Sequence, residues 1–346
     1  MTIQYQVMNP QEFLEERMYD GKGIITASSN KFMFQTLISI NILRDTGCTL
    51  PIELYYADVD EINQADIVTL ELTLDVKCIN IQSFEKFKDY KARNFSIKSI
   101  ALYLSSFDET IWMDADIIPI INFEELFETD HYKKNNHIFF NDIFAYDKYE
   151  NAMTKKTKAL YKSFNIDIPF GTPETDSGLY VIHKNKFSKN FILINTLLNM
   201  DQDTYTSTYG DKELYRLSMD ICDSGYFTTI DTNPCIIGKY FKSEDIFCGN
   251  AVILMIDLRQ ICVHMTLHSV DHVNKYNNIW KTSFWTNFIT RPVDVELKMV
   301  EPLNQEILVK FDYDKKFIIP ISPNLVLLQN NMYNYVDKFI NNYLDK

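Results

Sequence analysis

The stretch Thr110-Ile-Trp-Met-Asp-Ala-Asp-Ile-Ile-Pro119 decides how this 346-residue chain is interpreted. Residues 110–113 predict a short buried strand, and two aspartates, Asp114 and Asp116, follow it directly. Side chains at positions i and i+2 of an extended segment point the same way, with Cα atoms roughly 6.5 Å apart. The stretch therefore predicts two carboxylates that face one point just beyond the end of a strand.

Upstream of this stretch, strand and helix patterns alternate. Strands are predicted at 23–28, 51–56 and 76–81, and helices at 31–45, 61–72 and 95–107. This alternation predicts an α/β fold with a doubly wound, mainly parallel sheet, in which ligands bind outside the carboxyl ends of the strands. Both Thr26-Ala-Ser28 and Asp114-Ala-Asp116 follow such an end, so we expect them to belong to one site.

The second half of the chain is less regular. The predicted elements are a strand at 179–183 directly after Asp176-Ser-Gly178, a helix at 187–200, a helix that begins near Gly210-Asp-Lys-Glu213, and short strands from 227 to 263. The residues after His272 are expected to form an appended segment of helix and loop.

The charge of the chain limits its partners. The formal net charge is -13, whereas proteins that bind nucleic acid normally present a basic stripe to the phosphates. We therefore expect no nucleic-acid partner, although an acidic protein still binds a polyphosphate where a cation mediates. The 6 cysteines are scattered without a CxxC pair, so no zinc ribbon is indicated.

The first residues do not have the pattern of a signal peptide, because charged residues such as Glu12, Glu15 and Arg17 interrupt them. The sequence contains no uninterrupted apolar run of about 18 residues, so no transmembrane segment is predicted. A cytoplasmic location is the default expectation, and a place in the secretory pathway stays open.

The two aspartates match the ligands of a hard divalent cation. Mn²⁺ and Mg²⁺ accept oxygen ligands and are commonly held by one or two carboxylates together with substrate phosphates. When a sugar–phosphate bond breaks, a nucleoside diphosphate departs, and a bound cation stabilises its developing negative charge. Asp114 and Asp116 therefore predict a metal-assisted reaction at the end of the strand.

Context distinguishes this acidic pair from others. The same spacing also occurs at Asp58/Asp60, Asp201/Asp203 and Asp312/Asp314. Asp114 and Asp116 differ because they end an apolar strand and precede Ile117-Ile-Pro119. Haloacid-dehalogenase-like phosphatases carry a similar pair after an apolar strand. They have Thr or Val two residues after the second Asp, where this chain has Ile118, so that alternative is disfavoured.

Several blocks together carry a family resemblance. They are Thr49-Leu-Pro-Ile-Glu-Leu54, Phe95-Ser-Ile-Lys98-Ser-Ile-Ala101, Ser105-Ser-Phe-Asp-Glu109, Ile111 to Pro119, Asp176-Ser-Gly-Leu-Tyr-Val-Ile182 with Lys184, Gly210-Asp-Lys-Glu213 and Val263-His264. In this order the chain resembles the MNN1-type α-mannosyltransferases of fungi and, more distantly, the glycogenin-like retaining glycosyltransferases. The resemblance implies a GT-A-like fold, with a doubly wound mixed sheet and flanking helices.

The resemblance also implies a metal and nucleotide site. Asp114 and Asp116 would bind Mn²⁺ or Mg²⁺, and His264 would be the third protein ligand. The segment Thr26, Ala27 and Ser28 would line the nucleoside pocket. His268 and His272 are rivals of His264, which on its own would more often be a hydrogen-bonded core residue.

Three further residues would act on the donor and the acceptor. Lys98 would lie near the diphosphate or the sugar, Asp176 would approach the transferred sugar, and Asp211 would lie near the sugar or the incoming hydroxyl. Each also has a structural interpretation, since a lysine on a helix is usually solvated, an acid favours a helix N-terminus and an Asp commonly caps a turn. The anomeric configuration would be retained, either through a carboxylate nucleophile or through attack on the same face, which the sequence does not decide.

The resemblance suggests three parts of the chain. These are an N-terminal segment at 1–22, a GT-A-like catalytic domain at 23–275 and a C-terminal extension at 276–346. Within the extension, an aromatic stripe is more typical of core packing than of stacking on an acceptor sugar. Its members are Trp280, Phe284, Trp285 and Phe288.

These observations favour a metal-dependent retaining glycosyltransferase that uses a GDP- or UDP-sugar, with GDP-mannose favoured and a glycan or glycoprotein hydroxyl as acceptor. A UDP-sugar-dependent, glycogenin-like hexosyltransferase is the alternative. Two other classes stay open: a non-catalytic nucleotide-sugar-binding protein and a nucleotidyltransferase. The latter usually has a Gly-rich basic loop after the first strand, where this chain has Ala27-Ser-Ser-Asn-Lys31.

Overall fold

The strand that ends at Met113 lies inside a six-stranded sheet. The structure is a computed structural model. It describes residues 19–58, 61–91, 94–145, 152–166, 173–186, 189–208, 210–222, 230, 232–241, 246–265, 287–289, 294–300, 308–312 and 318–340. The strands are β1 (Lys22–Ala27), β2 (Ile52–Tyr56), β3 (Val76–Asn80), β4 (Glu109–Met113), β5 (Ile117–Pro119), β6 (His137–Ala145), β7 (Pro173–His183), β8 (Cys235–Phe241), β9 (Ile246–Ile256), β10 (Arg259–His264), β11 (Asn287–Ile289), β12 (Asp294–Val300), β13 (Leu308–Asp312) and β14 (Ile318–Pro320). The helices are α1 (Met33–Asp45), α2 (Gln64–Leu74), α3 (Ile97–Leu104), α4 (Asp130–Asn135), α5 (Ala152–Ser163), α6 (Lys189–Met200), α7 (Gln202–Tyr205), α8 (Lys212–Ile221) and α9 (Pro323–Ile340).

The six-stranded sheet has the order β3-β2-β1-β4-β7-β6. Strands β3, β2, β1 and β4 run parallel to their neighbours, whereas β7 is antiparallel to both β4 and β6. Because β1 and β4 are parallel neighbours, their carboxyl ends meet at one edge of the sheet. The predicted α/β fold with a mixed sheet is confirmed. The segment Asp114-Ala-Asp116, which follows β4, lies where a ligand site is expected.

Both faces of this sheet are covered by helices. On one face, Ile24 and Ile111 pack with the apolar side of α1. On the other, Ile25 and Trp112 pack with α3 and α6. Neighbouring residues of a strand point to opposite faces, so a strand buried on both sides needs a continuous apolar run. The residues Ile111-Trp-Met113 are such a run, and each is almost completely buried.

A second sheet occupies the other half of the described chain. Its order is β12-β13-β9-β8-β11-β14, and β10 pairs with both β9 and β5. The C-terminal segment was expected to consist of helix and loop, and that expectation is wrong in part. Its strands β11 and β13 pair with β8 and β9, while α9 packs against α1, where Tyr335 Oη donates to Asp45 Oδ2 at 2.7 Å.

The largest local difference from the sequence interpretation concerns β7. A strand was predicted to begin at Leu179, after a turn at Asp176-Ser-Gly178, but β7 begins at Pro173 and contains that segment. The pairing with β6 jumps from Phe139–Tyr180 to Phe140–Asp176. The three residues between are therefore an interruption in a strand, and such irregularities re-aim side chains near active sites.

A prediction concerns the close contact between β1 and the segment before β4. A Cβ atom at Gly23 would overlap the ring of Phe107, which is itself buried. We expect Gly23→Ala to lower the free energy of unfolding by about 1–3 kcal/mol, because overpacking forces the ring to move. Urea unfolding should show this loss, and the added change Phe107→Leu should restore part of it. Wild-type stability in Gly23→Ala would contradict the contact.

Candidate active site

Asp114 and Asp116 lie immediately after β4, at the carboxyl edge of the first sheet. A tight turn carries them, in which the Ile117 N–H donates to the Asp114 carbonyl at 3.1 Å. Their side chains are 20 % and 22 % exposed. The predicted pair is thus neither packed into the core nor fully solvated, as a ligand site requires.

His264 reaches this pair through the second sheet. It is the last residue of β10, which pairs antiparallel with β5 so that His264 stands opposite Ile117. The Met265 N–H donates to the Asp116 carbonyl at 3.0 Å, which holds the two segments together. His264 Nε2 consequently lies 3.6 Å from Asp116 Oδ1.

The three side chains fit a divalent cation. One ligand atom from each of Asp114, Asp116 and His264 can be chosen so that all lie within 4.8 Å of one another. Ligands that share one small cation at about 2.1 Å lie within roughly 4.2 Å of each other, which is close to the spacing of these three side chains. Two carboxylate oxygens and one imidazole suit Mn²⁺ better than Mg²⁺, because imidazole is a ligand of transition metals.

Asp114 is held by two donors. Trp112 Nε1 donates to its Oδ1 at 2.7 Å, and Lys98 Nζ donates to its Oδ2 at 2.7 Å. Trp112 is itself fixed by stacking on Tyr180, with ring centroids 6.2 Å apart. Burial raises the pKa of Asp114 to about 6. The Lys98 ammonium acts in the opposite direction, and the charge of Asp116 adds to the rise. Carboxylate oxygens keep further lone pairs, so both donors are compatible with metal binding.

Asp176 faces the opposite nitrogen of His264. Its Oδ2 lies 2.8 Å from His264 Nδ1, and its Oδ1 accepts from the Gly178 N–H at 2.7 Å. Burial would raise the pKa of Asp176, but the His264 charge and these hydrogen bonds outweigh it and hold that pKa below its ordinary value. A Cβ at Gly178 would lie 2.5 Å from His264 Cε1, so only glycine leaves room for the ring. Asp176 is therefore placed to fix the orientation of His264.

His264 is strongly basic in this environment. Burial alone lowers the pKa of an imidazole, but the carboxylates of Asp176 and Asp116 raise the pKa of His264 to about 10. The metal-free protein accordingly holds a proton on this ring at neutral pH. A cation that binds Nε2 must displace that proton.

Lys98 joins the metal ligands to Asp211. Besides Asp114, its ammonium lies 3.5 Å from Asp211 Oδ2 and donates to the Ser177 carbonyl at 3.3 Å. Burial acts to lower the pKa of Lys98, but the charges of Asp114 and Asp211 raise it above the ordinary value. Burial raises the pKa of Asp211, opposed by the Lys98 charge. Asp211 is the N-cap residue of α8, a position where an acid is favoured, but among the described residues its side chain makes no capping hydrogen bond.

The segment Thr26-Ala-Ser28 lies at the carboxyl end of β1, beside β4. Ser28 is buried, and its hydroxyl is 2.7 Å from Thr36 Oγ1. The buried hydroxyl of Thr26 makes no hydrogen bond among the described residues. Ala27 alone of the three retains intermediate exposure. Ala27 is thus the most accessible of the three residues, and the role of the segment in nucleoside binding stays a prediction.

Four polar residues next to this site were assigned no role from the sequence. Lys212 forms ion pairs with Asp142 and Glu174, and Glu213 follows it in the first turn of α8. Glu174 lies two residues before Asp176, but the sequence predicted no strand there, and the pairing of β7 with β6 is irregular at this point. Asp142 carries no local signal, since β6 and α8 meet only in the folded chain.

The other candidates lie outside the described residues. His268, His272, Trp280, Phe284 and Trp285 belong to that group. Phe288 lies in β11, opposite Ile237 of β8 and Ile319 of β14. The aromatic stripe was proposed from helical spacing, whereas Phe288 lies in a strand.

Comparison with known proteins identifies the family. The family described as "Mannosyltransferase putative" matches residues 21–269, well over half of the chain. The chain therefore belongs to this family, and the resemblance to MNN1-type mannosyltransferases is confirmed. The matched residues include Lys98, Asp114, Asp116, Asp176, Asp211 and His264.

Individual relatives are similar over more than half of the chain. The chain is 26 % identical over 254 residues to alpha-1,2-mannosyltransferase MNN21 of Candida albicans, covering 62 % of this chain and 37 % of that protein. It is 24 % identical over 274 residues to alpha-1,2-mannosyltransferase MNN2 of Saccharomyces cerevisiae, covering 68 % and 45 %. The chain thus spans less than half the length of these two relatives.

Solved structures of two glycosyltransferases are also similar. The galactosyltransferase LgtC superposes with a TM-score of 0.40 at 14 % identity, covering 57 % of this chain and 70 % of that one. The mannosyltransferase Ktr4p of S. cerevisiae gives a TM-score of 0.39 at 10 % identity, covering 60 % and 72 %.

Among the helices that the structure describes, none has the length and apolar character needed to cross a membrane.

A prediction concerns the proton on His264. Because the pKa of His264 is about 10 without metal, Mn²⁺ binding between about pH 7 and pH 9 should release close to one proton, and affinity should rise with pH. Asp176→Asn removes the main charge that raises this pKa, so Mn²⁺ binding to this variant should release fewer protons. The change also removes the partner that orients the His264 ring, so Mn²⁺ should bind about 10–100-fold more weakly. Titration calorimetry in buffers of different ionisation enthalpy, with GDP present, measures both quantities.

The control for this experiment is Asp203→Asn, which changes an exposed carboxylate of the first turn of α7. It should leave the proton count and the affinity unchanged. Mn²⁺ binding that releases no proton in the wild type would exclude His264 as a ligand.

Proposed function

We propose that the chain is a metal-dependent retaining glycosyltransferase with a GT-A-like fold. It transfers a hexose, with mannose from GDP-mannose favoured, to a hydroxyl of a glycan or glycoprotein. The observation that supports this most directly is the convergence of Asp114, Asp116 and His264 at the end of β4, in a chain that belongs to a mannosyltransferase family.

Each residue of the site has a role in this proposal. Asp116, His264 and Asp114 hold Mn²⁺ or Mg²⁺, and the ion stabilises the charge of the departing nucleoside diphosphate. Lys98 holds the Asp114 carboxylate in place and adds positive potential beside the diphosphate. Asp176 keeps His264 in the orientation that presents Nε2.

The charges around the two remaining acids favour attack on the same face. Asp176 faces His264 and Asp211 faces Lys98, so both carboxylates already neutralise a cation. In a same-face reaction the acceptor oxygen bonds to the anomeric carbon on the side from which the phosphate oxygen leaves, and that phosphate takes the hydroxyl proton. Asp211 then stabilises positive charge on the sugar without forming a bond to it.

The finer assignments follow the sequence expectations. Thr26, Ala27 and Ser28 form one wall of the nucleoside pocket at the end of β1. The catalytic part covers residues 23–275, preceded by 1–22 and followed by the extension 276–346. The cytoplasmic location stays a prediction of the sequence.

A prediction tests the metal pair. The double change Asp114→Asn with Asp116→Asn removes the carboxylate charges, so transfer from GDP-mannose in Mn²⁺ should fall by at least about 100-fold. The matched control is Asp201→Asn with Asp203→Asn, which has the same spacing on exposed side chains. Radiolabelled sugar transfer to an oligomannose acceptor is the measurement.

Three outcomes are informative. Loss in the first variant alone supports the site. Equal loss in both variants points to a non-specific effect, and intact metal-dependent transfer in the first variant rules the site out. Tight donor binding by a wild-type chain that shows neither transfer nor donor hydrolysis would favour the non-catalytic nucleotide-sugar-binding alternative.

A separate prediction concerns the nucleotide. A ligand that binds the folded state raises the unfolding temperature in proportion to its occupancy. With Mn²⁺ present, GDP and GDP-mannose should raise it more than UDP, UDP-glucose or GTP, and chelation of the metal should abolish the difference. A larger effect of the UDP series would support the glycogenin-like alternative, and pyrophosphate release from GTP would support a nucleotidyltransferase.

A further inference from the structure

A buried serine of α1 contacts the residues on both sides of the metal pair. Ser39 lies in the middle of α1 and is fully buried. Its hydroxyl donates to the Ile117 carbonyl at 2.5 Å, and the sulfur of Met113 lies 3.8 Å from the same oxygen. Met113 directly precedes Asp114, and Ile117 directly follows Asp116. One hydroxyl group therefore contacts both ends of the turn that carries the two carboxylates.

The hydrogen bond of Ser39 leaves its own helix. A Ser or Thr side chain inside a helix commonly bonds back to the carbonyl four residues earlier in the same helix. Thr36 of α1 does so, because its hydroxyl donates to the Phe32 carbonyl at 3.0 Å. Ser39 donates instead to a carbonyl of β5, a separate element of the fold. Its hydroxyl thus contributes to the position of β5 and not to the hydrogen bonding of α1.

The Ile117 carbonyl points away from the partner strand of β5. Among the strands that the structure describes, β5 pairs with β10 alone. In an antiparallel pair only alternate residues of a strand exchange hydrogen bonds with the partner strand. Asp116 is such a bonded residue, since the Met265 N–H donates to its carbonyl at 3.0 Å. The next residue, Ile117, therefore directs its carbonyl to the opposite edge of β5, where Ser39 supplies the donor.

The position of β5 determines the spacing of two metal ligands. Strand β10 holds one edge of β5 and carries His264, whose Nε2 lies 3.6 Å from Asp116 Oδ1. Ser39 holds the other edge. A buried carbonyl that loses its donor is costly, because it no longer has the water that bonds to it in the unfolded chain. Loss of the Ser39 hydroxyl therefore favours a shift of β5, and such a shift changes the distance between Asp116 and His264.

We propose that Ser39 is a positioning residue of the metal site. Its hydroxyl donates its single proton to the Ile117 carbonyl, so it acts on the site through β5 and not as a ligand of the cation. It holds β5 on the edge opposite β10 and thereby keeps the Asp116 carboxylate at the distance from His264 that one ion requires. This inference rests on the proposed function, which assigns a divalent cation to these ligands.

The experiment measures Mn²⁺ binding to the full chain with GDP present, from the loss of the free-ion signal in electron paramagnetic resonance. Ser39→Ala removes the donor and should weaken Mn²⁺ binding by about tenfold, the lower end of the effect of removing a group that orients a metal ligand. The Mn²⁺ concentration for half-maximal transfer from GDP-mannose should rise by the same factor. At saturating Mn²⁺, kcat should stay within about threefold of the wild type, because the ligands themselves are unchanged.

A pair of variants at the same position tests the hydroxyl itself. Thr and Val have nearly the same shape, so Ser39→Thr and Ser39→Val add a similar volume to the core and differ in the donor. The Thr variant should bind Mn²⁺ about tenfold more tightly than the Val variant. The matched control is Ser218→Ala, which changes a buried serine of α8 whose hydroxyl donates back to the Leu214 carbonyl. It should lower the midpoint of urea unfolding and leave the Mn²⁺ affinity within about twofold.

Other results would overturn the inference. A lower urea midpoint of Ser39→Ala with unchanged Mn²⁺ affinity would make Ser39 a residue of the core only. Equal Mn²⁺ affinities of the Thr and Val variants would exclude the hydroxyl as the cause. If neither of these two variants folds, the comparison of Ser39→Ala with Ser218→Ala decides the question. A wild-type chain that binds no Mn²⁺ contradicts the proposed function, whereas wild-type binding that Ser39→Ala leaves unchanged contradicts this inference alone.

Discussion

The short antiparallel pairing of β5 with β10 is the constraint on which the site depends. Strand β5 has only three residues, and it begins directly after Asp116. Pairing with β10 places His264, almost 150 positions later in the chain, opposite Ile117. β10 also pairs with β9, so the second sheet reaches β5, which follows β4 of the first sheet after three residues. Folding of the second sheet is thus a condition for a complete set of metal ligands.

Electrostatics explains why the acids around the site are tolerated. Asp114, Asp176 and Asp211 are largely buried, and each faces a cation in Lys98 or His264. Desolvation disfavours a lone buried charge, while an opposite charge nearby restores the ionised form. The neighbouring carboxylates hold a proton on His264, whereas burial outweighs the Lys98 charge and raises the pKa of Asp114. The protonation state of each of these side chains therefore depends on the charges of its neighbours.

The sequence was sufficient for the parts that depend on local pattern. The apolar run 110–113, the acidic pair after it and the alternating elements before it led to the sheet, its carboxyl edge and the metal pair. Other features depend on contacts between distant segments. The interruption in β7 escaped notice because Asp176-Ser-Gly178 has the composition of a turn. Asp142 gave no signal, because nothing local in β6 shows that α8 will bring Lys212 against it. The C-terminal strands were missed for the same reason, since their partners β8 and β9 lie far upstream.

Gly178 has a consequence for the comparison of related sequences. The His264 ring lies directly against its main chain, in a space that even one methyl group would fill. The residue lies in the middle of β7, directly before Leu179 and Tyr180 of the two apolar clusters, but it belongs to neither cluster. A single alanine there would meet the imidazole ring first. In a related sequence, any residue other than glycine at this position would therefore indicate that the histidine has a different orientation from the one seen here.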